Sequence, residues 1–315
     1  MTPLLSVIVP ATGQAHMSRL PAALAYLSRQ KDVPIEVIII QSKGEARVEA
    51  HGLPASRVIV EPLPICSPSF LRNSGVRASQ GRWLLFLDAD ILLADPHTCA
   101  RFLSFLEHSP ERTLSNPIRK RIVEEGQERL IEAVVAGRFV EDEISPLGDF
   151  IFKSIHAQEL ADDLVFRKRT GRIEYARLQD LRNAAGVQLM EESAFRANLW
   201  GGCIAVSRSM FDLVGGYSEL FHGWGHEDAD LKQKLAHVTK LISIHENPAL
   251  SDIFVYHLDH PMTYCTENSL SANLHLRTSR RIQDPSDLVR IDIASATSLY
   301  GQDLRRGIRN DLSSK

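Results

Sequence analysis

The chain opens with a short run rich in β-branched residues, Leu4 to Val9, closed by Pro10. A run without polar alternation predicts a strand covered on both faces, as in a parallel sheet. From about Met17 to Gln30, leucines and alanines recur at helical spacing, and IEVIII (Ile35 to Ile40) is a second apolar run. Arg57 to Val60 is a third, weaker strand. Phe70 to Ala78 has a helical pattern with Ser67 or Ser69 available as N-cap, and Trp83 to Leu87 is a fourth strand. Strands alternating with helices predict right-handed βαβ units and a parallel sheet. Ligands of such sheets bind beyond the carboxyl ends of the strands.

The pattern then changes. From about Glu107 to Ala197 charges are dense (IRKRIVEEGQERL, FRKRTGRIEYARLQDLRN) and no strand stands out, which predicts a mainly helical insertion. Order returns at Asn198 with a short strand (Cys203 to Val206), a helix from Ser207 to Val214 and a Gly-Gly turn. A second helix opens near Glu227, late strands cover Leu241 to Ile244 and Ile253 to Tyr256, and a polar, helical tail follows Thr266. The expected organisation is α/β, with a mostly parallel central sheet flanked by helices. Residues 1–106 form one half of the core and 198–266 the other. Residues 107–197 are the insertion, a candidate wall for a second substrate, and 267–315 a helical extension.

Composition narrows the function classes. The 315 residues carry a formal net charge of -3 and are 44% hydrophobic and 24% charged, the values of an ordinary globular protein. Near-neutral charge gives no footprint for nucleic acid. The four cysteines (Cys66, Cys99, Cys203, Cys265) form no CxxC pair, so reduced thiols in a cytoplasmic protein are expected rather than zinc or disulfides. The opening MTPLLSVIVPATGQ lacks the regions of a signal peptide, and no stretch nears the ~20 apolar residues of a membrane span. Peripheral attachment at the inner face of a membrane stays open, and oligomeric state is not legible.

Two acidic motifs stand out. The strand RWLLFLDADI ends in Asp88-Ala89-Asp90, and hard divalent cations such as Mg²⁺ or Mn²⁺ take carboxylate oxygens while keeping positions for substrate phosphate. A lone DxD is also a common turn. In GWGHEDADL, Glu227 and Asp228 follow Gly223-Trp224-Gly225. Acidic residues suit any helix N-terminus, but beside a tryptophan a carboxylate can accept a proton from a stacked sugar. Trp200-Gly201-Gly202 offers close backbone approach to a ligand. In VYHLDHP, His257 and His260 follow a strand; a neutral imidazole there would complete a metal's shell. Arg72, in RNSG, would offset a diphosphate's charge or form a salt bridge.

Taken together, VIVP, RNSGVRASQGRWLLFLDAD, WGGCIAVSRSMFDLVGGYSELFHGWGHEDADL and VYHLDHP resemble a GT-A glycosyltransferase of the family-2 type. The second block is similar to the galactosyl- and N-acetylgalactosaminyl-transferase module also seen in chondroitin-type polymerases. The resemblance covers most of residues 4–100 and 198–262. It implies a nucleotide-diphosphate-sugar transferase that moves a hexose or N-acetylhexosamine, with UDP as the expected nucleotide, to a glycan or glycoconjugate hydroxyl with inversion. It further implies that Asp88 and Asp90 contact the ribose and the metal-diphosphate. His257 would be the further metal ligand, with His260 the second choice, and Mn²⁺ or Mg²⁺ the ion. Asp228 would be the catalytic base, and Glu227 would hold the donor sugar or acceptor hydroxyl. Trp224 and Trp200 would stack on sugar. Gly201, Gly202 and Ala89 would border the donor, Pro10, Ala11 and Thr12 would cup the base, and Arg72 would lie near the nucleotide. The chain departs from the pattern at ATGQ after the first strand and at Gln41, where an acidic residue is common; an amide still hydrogen-bonds uracil. The rivals are a sugar-nucleotide or glycan-binding module without catalysis, which has no need of a proton acceptor, and a nucleotidyltransferase, whose Gly-rich basic loop ATGQAHMSRL matches poorly.

Overall fold

The computed structural model of the chain describes residues 4–42, 48, 53, 56–61, 67–109, 112–115, 117–122, 127–139, 202–244, 247–258, 260, 267–297 and 302. The elements in chain order are β1 (Leu5–Ala11), α1 (Gln14–Ser28), β2 (Ile35–Ser42), β3 (Ser56–Glu61), α2 (Pro68–Ala78), β4 (Trp83–Leu87), β5 (Ile91–Leu93) and α3 (Thr98–Glu107). They continue with β6 (Arg112–Ser115), β7 (Ile118–Ile122), α4 (Gln127–Val135), β8 (Cys203–Ser207), α5 (Arg208–Leu213), α6 (Glu227–Leu235), β9 (Lys240–Ser243), β10 (Phe254–Leu258), α7 (Glu267–Arg281) and α8 (Pro285–Ser295).

A seven-stranded sheet runs in the order β3-β2-β1-β4-β8-β6-β9. Its first four strands pair in parallel, and β8 lies antiparallel between β4 and β6. Every residue of β1 and β4 is buried, as the apolar runs require, because helices cover both faces. On one face α2 packs very closely. A Cβ on Gly75 would come within 2.4 Å of Ile40 and 2.5 Å of Ile8, so only glycine allows that approach. Ser67 caps α2 by accepting a hydrogen bond from the Phe70 N–H, with Pro68 in the first turn.

A second sheet, β5-β10-β7, sits at the carboxyl end of β4. Within the stretch expected to be mainly helical from residue 107, the described residues hold two strands, 112–115 in the first sheet and 118–122 in the second, and the helix α4. In β7 the basic triplet Arg119-Lys120-Arg121 breaks the apolar signal. The strand lies at the edge of its sheet, paired in parallel with β10. Residues 140–201, and with them Trp200 and Gly201, lie outside the described residues. No helix among the described residues is long and apolar enough to cross a membrane.

Candidate active site

The strand β4 stops at Leu87 because the chain turns: the Ile91 N–H bonds the Asp88 carbonyl at 3.1 Å, closing a tight loop over Ala89. Pairing of β5 with β10 sets His257 opposite Ile91, and the Leu258 N–H bonds the Asp90 carbonyl at 2.9 Å. This backbone lock brings the late histidines to the carboxylate pair. His260 Nε2 lies 2.8 Å and His257 Nε2 3.3 Å from Asp90 Oδ2. Gly202 meets the same turn from β8, its carbonyl accepting the Asp88 N–H at 3.0 Å.

The other carboxylate pair approaches through Arg72. Asparagine and arginine of the RNSG stretch divide the labour. Asn73 grips the loop after α5, donating to the Tyr217 carbonyl and Glu219 and accepting from the Tyr217 N–H. Arg72, only 3% exposed, donates to Asp88 Oδ1 at 2.6 Å and lies 3.3 Å from both Glu227 Oε1 and Asp228 Oδ1. Its guanidinium also lies over the Tyr217 ring. The arginine expected beside a nucleotide is therefore the bridge between the DxD turn and the first turn of α6.

The approach to that first turn takes left-handed backbone, and the turn itself is acidic in side chains. Gly223 and Gly225 have φ of 66° and 107°, and His226 takes the left-handed region at 73°. The three acids of that turn, and Glu219 before it, have separate fates. Asp230 is bound in bidentate fashion by Arg280, and Glu219 receives Asn73 and the Thr297 backbone and hydroxyl. Both are structural. Glu227 is buried, accepts the Gly225 N–H at 3.0 Å, and its carboxyl is pushed up to about 7 by burial and then by Asp228, against Arg72. Asp228 is more open, with 19% of its side chain exposed, and accepts the Tyr217 hydroxyl at 3.0 Å. Burial raises Asp88 too, opposed by Arg72. For Asp90 burial works upward, but His257 and His260 outweigh it and hold the carboxyl well below its usual range.

The residues expected to cup the base lie where β1 and β2 finish together, with Ala11 registered on Gln41 after Pro10 on Ile40. Thr12 and Ser42 hydroxyls are 3.2 Å apart. The Gln41 amide contacts Met17 sulfur through its nitrogen and the Val48 N–H through its oxygen. Trp224, on the loop before α6, is half-buried. Three residues escaped the sequence reading. Tyr217 buttresses Asp228. His16, in the first turn of α1, groups with Asp90 and His260. Asn273 of α7 holds the tryptophan loop by donating to the His222 and Trp224 carbonyls and accepting the His222 N–H. Tyr217 sits in GGYSE and reads as a core aromatic; the others lie far from both motifs and carry no local signal.

The arrangement suits a divalent cation. Arg72 faces Asp88, Glu227 and Asp228 while Asp90 adds a further carboxylate, so negative charge is in excess. Among the described residues, Asp90 Oδ1 and His257 Nδ1 are buried without hydrogen-bond partners, and a metal ion at this turn gives such lone pairs a use.

Residues 184–260 match a family model described as the N-terminal domain of galactosyltransferase. An uncharacterized glycosyltransferase of Haemophilus influenzae is 24% identical over 280 residues, covering 88% of this chain and 72% of the relative. Among solved structures, S. aureus TarS in complex with UDP-GlcNAc aligns with a TM-score of 0.52 at 12% identity, over 96% of this chain and 69% of that one. The mannosyltransferase PcManGT from Pyrobaculum calidifontis, in complex with GDP-Man and Mn²⁺, aligns with a TM-score of 0.50 at 15% identity, over 99% and 81%. The architecture is GT-A. With the matched segment spanning α6 and β10 and the relative covering most of the chain, the class is defined: this is a glycosyltransferase of GT-A fold.

Proposed function

We propose that the chain is a metal-dependent glycosyltransferase that takes a hexose or N-acetylhexosamine from a nucleotide diphosphate, UDP first among them, and passes it to a glycan hydroxyl with inversion. The observation that carries this reading is the Arg72 bridge, which joins the DxD turn and the Glu-Asp pair into one cluster. A binding module without catalysis has no use for a carboxylate held ready beside a sugar platform.

Asp90 with one of the two late histidines would hold the ion, which when bound offsets the charge of the leaving diphosphate. Asp228 is placed to take the acceptor hydroxyl's proton as that oxygen attacks the anomeric carbon. Its exposed face and its Tyr217 buttress favour it over the buried Glu227, while Arg72 lies equally near both. Attack from the face opposite the diphosphate inverts the anomeric centre. Trp224 offers the stacking surface, and Glu227 steadies the loop by accepting the Gly225 N–H. For UDP to be read at Gln41, its amide must exchange Val48 or Met17 for the uracil edge.

The two solved neighbours bind UDP-GlcNAc and GDP-Man, so both belong in the test. A thermal-shift panel of nucleotide sugars, with and without Mn²⁺, should show selective stabilisation that needs the ion. Absence of any ion-dependent shift across the panel counts against the reading.

A further inference from the structure

We propose that His16 is a ligand of the metal, so that two imidazoles and one carboxylate (His16, Asp90 and His260) hold the ion and favour Mn²⁺ and later first-row ions over Mg²⁺. This rests on the metal-dependent reading above, and adds to it a residue that lies outside the DxD turn and outside the segment matched to the galactosyltransferase model.

One ligand atom from each of these side chains lies within 4.8 Å of the others. The fold explains the meeting. β1 and β4 are parallel neighbours, so α1, which leaves the end of β1, starts beside the turn at the end of β4. His16 and His260 meet edge to face, with ring centroids 5.4 Å apart, and His260 is 2.8 Å from Asp90 Oδ2. Asp90 is only 3% exposed, and its Oδ1 has no hydrogen-bond partner among the described residues. A buried carboxylate oxygen with no donor among the described residues, in a group with two imidazoles, is a second and independent sign of a cation site. The third sign is on His16 itself. Its Nδ1 lies 3.0 Å from the Thr12 carbonyl. With the proton on that nitrogen, Nε2 carries the lone pair, the pattern by which a backbone carbonyl fixes the tautomer of metal-bound histidine. His257 lies at 3.3 Å from the same carboxylate oxygen and orients it.

Chemistry then sets the ion. Mg²⁺ favours oxygen ligands and loses water reluctantly, whereas imidazole suits the later first-row ions and Mn²⁺ tolerates mixed nitrogen and oxygen sets. A DxD site with oxygen ligands alone would show a smaller bias, because carboxylate and phosphate oxygens suit both ions.

The test uses the full chain stripped with EDTA and titrated by calorimetry with Mn²⁺ and with Mg²⁺, each in the presence of UDP. The wild type should bind Mn²⁺ at least about tenfold more tightly than Mg²⁺. His16→Ala and His16→Gln should weaken Mn²⁺ by about tenfold or more and shrink the preference, since loss of a ligand should match or exceed loss of an outer-shell partner. Pulsed electron paramagnetic resonance of bound Mn²⁺ should show two coordinated nitrogens in the wild type and one in His16→Gln. The glutamine variant keeps bulk and polarity, and its melting temperature in EDTA should equal that of the wild type. If both His16 variants bind Mn²⁺ as the wild type does while His257→Ala loses it, His16 is not a ligand and the metal-dependent reading stands without it. If the wild type binds neither ion, both fall.

Discussion

Replacing Arg72 with methionine removes the only guanidinium that the described residues show bridging the two acidic motifs, at nearly constant volume. Arg72 is buried, and the variant leaves Asp88, Glu227 and Asp228 facing each other. Removing one partner of a buried ion pair costs about 3–5 kcal/mol. Asp88 and Asp228 keep 28% and 19% of their side chains in solvent, so the lower end applies. For a chain of this length that is a fall in melting temperature of roughly 4 °C or more. The sign with pH follows from the carboxyls. Burial already raises Asp88, and Glu227 to about 7, with Arg72 opposing both. Without it their folded-state values rise further. A carboxyl whose folded value exceeds its unfolded one loses stability as pH climbs through that window. Thermal melts in EDTA should therefore show a larger deficit near pH 8 than near pH 5.5. A variant that melts within about 1 °C of the wild type at the higher pH, or with a deficit indifferent to pH, would refute the bridge as the organiser of this site.

Other expectations follow from the same geometry. Glu227→Gln removes the group that titrates at about 7, so between about pH 5 and pH 8 its stability should improve relative to wild type, by on the order of 3 kcal/mol in chemical denaturation. Tyr217→Phe keeps the ring against Phe86 but deletes the hydroxyl bond to Asp228; steady-state kinetics should show kcat down about tenfold with the donor KM unmoved. Asn273→Ala frees the tryptophan loop, and the acceptor KM should rise about tenfold while UDP affinity, read by calorimetry, stays within about twofold.

Much of this site was legible because its chemistry sits where local pattern is strongest. The strand carrying Asp88 and Asp90 is an unbroken apolar run, and the structure begins and ends β4 at Trp83 and Leu87 as that run predicts. The Glu-Asp pair opens α6 where glycines precede an acidic turn. What escaped depends on tertiary contact. Arg72 reads as a surface or phosphate-binding cation until Asp88 and α6 are folded against it. His16 becomes a candidate ligand only because β1 and β4 are neighbours, and nothing near it in sequence is acidic. Asn273 acts through backbone carbonyls, which no motif records. The strands β6 and β7 were lost to their short length and basic residues, their pairing supplied by β8, β9 and β10.

The most direct test of the central claim, that one cluster binds the metal-nucleotide and deprotonates the acceptor, is the Asp228→Asn variant. Its binding of UDP with Mn²⁺ is measured by calorimetry and its transfer rate on the same preparation. Nucleotide affinity should stay within about twofold of wild type and turnover should fall by about 10²–10⁴-fold, because the amide accepts no proton. Full turnover in the variant, or loss of nucleotide binding together with turnover, would contradict that claim.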